Sequence, residues 1–117
     1  MERRPQRVAH RVQEELARLL LREVRDPRLH AVQVSAVRMS PDLRLARIFV
    51  RTLAAQPDPA PMLAGLARAT PFLRGRLGRA LGLRHVPELR FEYDSVVDSA
   101  ARLESLLRGA GEPEGEA

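Results

Sequence analysis

Across residues 6–25 the apolar positions recur every three to four residues. Val8, Val12, Leu16, Leu19 and Leu20 share one broad face at about 100° per residue, which predicts a long amphipathic helix. Arg7, Arg11, Arg18, Arg22 and Arg25 fall in an arc of roughly 60° on the same helical geometry. Asp26-Pro27 ends the helix, because the residue before a proline is biased away from the α region. The period then drops to two. Over 31–38, Val32, Val34 and Ala36 take one side of a strand and Gln33, Ser35 and Val37 the other. Ser40-Pro41-Asp42 is turn chemistry, and a second strand follows over 43–53. Its Ala46, Ile48 and Val50 share one face, and Arg47, Phe49 and Arg51 share the other. These two strands are expected to form an antiparallel hairpin.

A stiff loop, Gln56 to Pro61, leads into a helix over about 60–69, with Leu63, Leu66 and Ala67 inward. Thr70-Pro71 predicts a kink or break, with a new helix from Pro71, since threonine caps well and proline favours the first helical position. The new helix runs to about Leu83 on a stripe of Leu73, Leu77, Ala80 and Leu81. After Pro87, Leu89, Phe91 and Tyr93 alternate with Glu88, Arg90 and Glu92 in a third strand. A short helix over 96–108 and a disordered acidic tail over 109–117 complete the expected order. A right-handed crossover through the helix pair places the third strand parallel to the second. The expected class is α+β: a two-layer sandwich with a three-stranded mixed sheet and helices on one face.

Composition narrows the chemistry. All 20 basic residues are arginine, and three of the 15 acids, Glu112, Glu114 and Glu116, sit in the tail. Without that tail the net charge rises from +5 to +8. Codon bias accounts for arginine in place of lysine, but not for the excess of base over acid. Such an excess points to a polyanionic partner, nucleic acid before membrane. There is no cysteine, which excludes disulfides and thiol chemistry and fits a cytoplasmic protein. No run of about 18 or more apolar residues crosses a bilayer, and the charged start lacks the apolar core of a secretory signal.

No catalytic constellation stands out. His10, His30 and His85 have no ligand or base at metal or triad spacing, and no glycine-rich phosphate loop follows a strand. Asp94 and Asp98 fit a cap on the last helix better than a catalytic pair. The expectation is therefore no enzyme activity, no metal, no cofactor and no small-molecule substrate. The candidate RNA contacts are Arg4, Arg7, Arg11, Arg18, Arg22 and Arg25 on the first helix, Arg28 beyond it, and Arg76 and Arg79 on the later one. Arg25-Asp26-Pro27-Arg28 also reads as a helix stop with a local salt bridge. Arg84 fits a structural ion pair as well as an RNA contact. Phe49 and Tyr93 could stack on bases, but packing is the better reading for both.

The element order is that of a type II KH domain, and several segments narrow it. Arg4-Pro-Gln-Arg-Val8, Glu23-Val-Arg-Asp-Pro-Arg-Leu29, Met39-Ser-Pro-Asp-Leu43 and Ala46-Arg-Ile-Phe-Val50 occur in order. Phe72-Leu-Arg74, then Leu83 to Phe91, then Asp94 complete the set. Together they resemble the bacterial ribosome-binding factor A family over about residues 3–107. The resemblance implies a monomeric factor that binds the free small ribosomal subunit and helps its ribosomal RNA mature. The family carries an Ala-x-Gly kink where KH domains have Gly-x-x-Gly. Here Ala69, Thr70 and Pro71 stand at that interhelical kink, with proline in place of glycine. Gly75-Arg-Leu-Gly78 matches Gly-x-x-Gly literally, but it lies inside the apolar stripe of a helix. With the acidic tail set apart, the expected domain organisation is a KH-like RNA-binding unit over 1–108 followed by the tail over 109–117.

Overall fold

The computed structural model describes residues 3–52, 58–95 and 107. The order is α1 (Arg3–Arg22), a 3-10 turn (Pro27–Ala31), β1 (Val32–Met39), β2 (Leu45–Thr52), α2 (Ala60–Leu81) and β3 (Glu88–Tyr93). The sheet order is β1-β2-β3; β1 pairs antiparallel with β2, and β3 runs parallel to β2. This is the expected α+β fold with a mixed three-stranded sheet. The short helix expected over 96–108 and the tail over 109–117 lie outside the described residues, apart from Leu107.

Val12, Leu16, Leu19 and Leu20 of α1 are buried against Ala46, Ile48 and Val50 of β2 and Leu66, Leu73 and Leu77 of α2 in one core. The helix stops earlier than its periodicity suggests. Leu19 O accepts from both Glu23 N (2.8 Å) and Val24 N (3.2 Å), which closes the last turn. Val24 then turns into the core, and Arg25 lies beyond the helix rather than on its stripe. Asp26 caps the 3-10 turn by accepting from Arg28 N (3.0 Å), and the turn seats Leu29 in the core.

The first strand departs from simple alternation. Val34 pairs with Val50 and Ala36 with Phe49, so Ser35 is an extra residue, a β-bulge. One inserted residue exchanges the faces of everything after it. Val37 and Met39 therefore pack against the core, whereas Ala36 pairs with Phe49 on the opposite face. Unbroken alternation places Ala36 inward and Val37 outward, the reverse of what is found. The Ser35 hydroxyl lies 3.1 Å from Phe49 O and also meets the buried Asp94 carboxylate. Asp94 N donates to Val50 O (2.8 Å), so this contact ties the bulge to the end of β3.

The hairpin turn uses the expected residues but is longer than expected. Ser40 Oγ accepts from Arg44 N (3.2 Å) and Leu45 N (3.0 Å), and donates to Asp42 (2.7 Å). Leu43 takes the left-handed conformation (φ 62°), so the second strand begins at Leu45 rather than at 43.

The expected pair of helices is one helix. α2 runs unbroken from Ala60 to Leu81 with Pro71 inside it, and Ala69, Thr70 and Pro71 are all helical. Proline removes one N–H and crowds the carbonyl four residues back. The Thr70 hydroxyl donates to Leu66 O (2.9 Å) just before that gap. The buried stripe Met62, Leu66, Leu73, Leu77 keeps one helical face on both sides of the proline. Packing of that face outweighs one missing rung, as is usual for helices in folded proteins. Ala67 and Ala80, expected inward, are exposed; Met62 and Gly65 are buried instead. Gly82, at φ 63°, ends the helix in the left-handed conformation that favours glycine. Gly75 and Gly78 both lie within α2 and form no loop.

Candidate nucleic-acid interface

α1 and α2 lie side by side on the inner face of the sheet. Two arginines of α1, Arg11 and Arg18, reach the seam with α2. Arg11 Nη2 reaches Leu81 O (3.3 Å) at the end of α2. One turn and more further along, Glu23 accepts from Arg18 (3.4 Å) on α1 and from Arg76 (2.6 Å) on α2. Arg18 also pairs with Glu15 at 2.6 Å. The Glu15 hydrogen bond, with Glu23 beside it, holds the Arg18 guanidinium more firmly protonated than an isolated arginine. In the sequence Glu23 stands out only as part of a motif. Its role as the bridge between the helices depends on packing and leaves no mark on helical spacing.

The candidate arginines therefore divide into two groups. Arg18, Arg28 and Arg76 are engaged with carboxylates, and Arg11 with Leu81 O. Arg4, Arg7, Arg22, Arg25 and Arg79 are exposed, and among the described residues none has an ion pair or side-chain hydrogen bond. The second group keeps its donors available to an incoming polyanion. The first group carries neighbours that fix the surface beneath it. Arg84 is exposed too, without the ion pair considered for it among the described residues. Arg74 is not part of this face: it donates to Val86 O (2.8 Å) and Pro87 O (3.0 Å), fastening the loop after α2.

Arg28 lies outside the α1 stripe, on the 3-10 turn, where it makes the expected local bridge. Its Nε and Nη2 donate to the two Asp26 carboxylate oxygens at 3.1 and 3.0 Å. That side-chain contact, with Arg28 N adding a second bond, holds the Asp26 carboxyl below its ordinary range. A depressed carboxyl pKa gives stability that is present above the unfolded value and lost as the pH falls through the folded one. Replacing Arg28 with alanine is expected to raise the Asp26 pKa toward the ordinary carboxylate range, read by an NMR titration of the carboxyl carbon. An unchanged titration would show that the bridge does not persist in solution.

Between the end of α1 and the middle of α2 runs an open groove of about 350 Å³. Val24, Leu29, Gly65, Ala69 and Phe72 give it an apolar lining, and Arg25 and Arg68 line it together with Glu23 and Asp26. Phe72 is among the large apolar residues left exposed, and the Arg76 guanidinium sits 4.9 Å from its ring centre. Helical spacing alone does not single out Phe72 as a surface ring. The other two aromatics considered are engaged in the sheet. Tyr93 packs against the core, and Arg47 lies over the Phe49 ring at 5.1 Å. Among the described residues no group of three or more metal-ligating side chains comes together, and no helix is long and apolar enough to cross a membrane.

The family model for "Ribosome-binding factor A" matches residues 4–107. The chain belongs to the ribosome-binding factor A family. A ribosome-binding factor A from Chromohalobacter salexigens is 46% identical over 108 residues, covering 90% of this chain and 82% of the relative. One from Brevibacillus brevis is 37% identical over 102 residues, covering 87% and 84%. The crystal structure of ribosome-binding factor A from Thermus thermophilus superposes with a TM-score of 0.66 at 27% identity, over 76% of this chain and 94% of that one. A homology model of the Thermus thermophilus ribosome-binding factor A, fitted into the cryo-EM map of its complex with 30S, gives a TM-score of 0.60 at 30% identity, over 72% and 88%. The family is thus one of ribosome-binding factors, and the fold is common to its solved members.

Proposed function

We propose that this protein binds the free small (30S) ribosomal subunit and holds a segment of 16S ribosomal RNA while the subunit matures. The observation that carries the reading is the exposed arginine face along the α1–α2 seam, in a chain whose family is named for ribosome binding. Arg4, Arg7, Arg11, Arg22, Arg25 and Arg79 supply the phosphate contacts. Arg18, Arg28 and Arg76 are held by carboxylates and act mainly by shaping that surface. The groove beside Ala69, Thr70 and Pro71 gives an apolar shelf where a base can rest next to those arginines. In this reading Pro71 keeps that stretch of α2 stiff, since it removes a backbone donor and restricts rotation. The protein acts as a monomer in the cytoplasm and does no chemistry itself; it acts by occupying RNA and excluding alternative folds.

Binding dominated by phosphate contacts releases counterions, so affinity falls steeply with salt. Co-sedimentation with purified free small subunits is expected to be strong at about 50 mM salt and to weaken by orders of magnitude at about 200 mM. Equal binding at both salts, or binding at neither, would count against the reading.

A further inference from the structure

The sheet has two faces, and among the described residues α1 and α2 cover one. On the other face the strand register builds a feature that no single strand reveals. Arg38 of β1 stands opposite Arg47 of β2, and Arg47 stands opposite Arg90 of β3. Three arginines thus form one row across the whole sheet, all of them exposed. Neighbouring strands lie about 4.8 Å apart, so three like charges sit within roughly 10 Å. Like charges directly opposite one another destabilise a sheet. Among the described residues the carboxylates on this face are Glu92, Glu88 and, just past the end of β3, the buried Asp94, which is engaged with Ser35. Glu92 takes both donors of Arg47, at 2.8 and 2.9 Å, and Glu88 stands opposite Leu45 beside the row. A fourth arginine, Arg51, hydrogen-bonds Gln33 at 3.0 Å on the same face. Among the described residues four arginines therefore face three carboxylates, and only Glu88 and Glu92 lie beside the row itself. The Phe49 ring under Arg47 and the bidentate Glu92 hold that guanidinium in place at the centre of the row.

We propose that this open face is a second RNA-binding surface, which lays the phosphodiester backbone of a single-stranded segment across the Arg38–Arg47–Arg90 row. The inference rests on the reading that the partner is RNA. A polyanion is the occupant that converts the mutual repulsion of the row into attraction. An acidic protein fits the face less well. Its apolar residues are few (Ala36, Leu45 and Phe49), whereas the centre of a protein–protein contact is depleted of charge. Interfaces with nucleic acid are strongly positive and polar. Because the helices cover the inner face, the row and the α1–α2 seam lie on opposite sides of the molecule. One copy can then hold two RNA segments at once, bridging strands rather than resting on one.

The test compares two double variants with the unaltered protein. One carries Arg38→Glu and Arg90→Gln on the sheet; the other carries Arg7→Glu and Arg22→Glu on α1. The probe is a fluorescently labelled single-stranded oligouridylate, followed by anisotropy over a salt series. The sheet variant is expected to bind about tenfold more weakly and to lose about two from the slope of log affinity against log salt. Its thermal midpoint is expected to hold or to rise by a few degrees, about what turning the Arg38–Arg47 pair into an opposite-charge pair is worth. Unchanged affinity and slope in the sheet variant, with binding lost in the α1 variant, would overturn this inference and leave the proposed function standing. Failure of the unaltered protein to bind either oligouridylate or free subunits would sink both. Loss of subunit binding with oligouridylate binding unchanged would assign the face to a protein partner and overturn the inference. A lower midpoint in the sheet variant would also overturn it, because the row would then be stabilising the sheet.

Discussion

Changing Arg7, Arg22 and Arg79 together to glutamate is expected to lower affinity for free small subunits by about a hundredfold or more while leaving the fold intact. The choice of residues follows from their surroundings. All three are exposed, and none has a side-chain partner among the described residues, so reversal strands no carboxylate and breaks no internal bond. Each exposed contact to phosphate is worth about 1 kcal/mol, so losing three accounts for about a hundredfold, and reversal adds repulsion to the loss. The salt dependence is expected to shallow by roughly one unit of slope per phosphate contact removed. Arg18→Glu makes the informative comparison. That change places a third acid beside Glu15 and Glu23, which Arg18 now bridges, so it is expected to disturb folding as well as binding. Sedimentation assays and thermal unfolding of the same samples separate the two effects. Full subunit binding by the triple variant would show that the α1–α2 seam is not the interface.

Two glycines of α2, three residues apart, are expected to respond in opposite directions to alanine. A Cβ on Gly78 would lie 2.6 Å from Val86 Cγ2, and valine is stiff about its first side-chain torsion, so Val86 cannot swing aside. The loop from Gly82 to Pro87 would have to lift from the helix, although Arg74 fastens it through Val86 O and Pro87 O. Gly78→Ala is therefore expected to cost about 2 kcal/mol. At Gly75 an added Cβ meets nothing within 4 Å. Gly75→Ala is expected to gain about 0.5–1 kcal/mol, the ordinary helix preference for alanine. Chemical denaturation of both single variants checks the pair. If both were stabilised, the approach of Val86 to the helix would not hold in solution. If Gly75→Ala abolished RNA binding with the fold retained, the Gly75-x-x-Gly78 stretch would regain standing as a clamp.

Much of the fold was legible in the residues. The α1 core face, the β2 alternation of Ala46, Ile48 and Val50, and the parallel third strand all followed from period and topology. The failures have specific physical causes. Strict alternation presumes an unbroken ladder, so the Ser35 bulge exchanged the faces of Ala36 and Val37. Thr70-Pro71 is locally a helix start, but a buried stripe continuing from Leu66 to Leu73 overrode it. Val24 left the helix because its side chain could be buried by turning inward, which carried Arg25 off the stripe. The candidate site was legible as an arginine arc on α1. Which of those arginines are engaged was not, because Glu23 meets Arg76 only once α1 and α2 are packed. The Arg38–Arg47–Arg90 row was hidden for a related reason: it exists only in the pairing register of three separate strands.

The Ser35 bulge has one more consequence. β1 is an edge strand, and a regular edge strand offers unpaired backbone groups to any other extended chain. An extra residue interrupts the even spacing of those groups and adds local twist, so a second strand cannot dock along the full length of β1. The hydroxyl–carboxylate contact with Asp94 fastens the interruption in place. The same serine that upsets the count of alternating residues thus helps keep the protein from stacking edge to edge when it is concentrated.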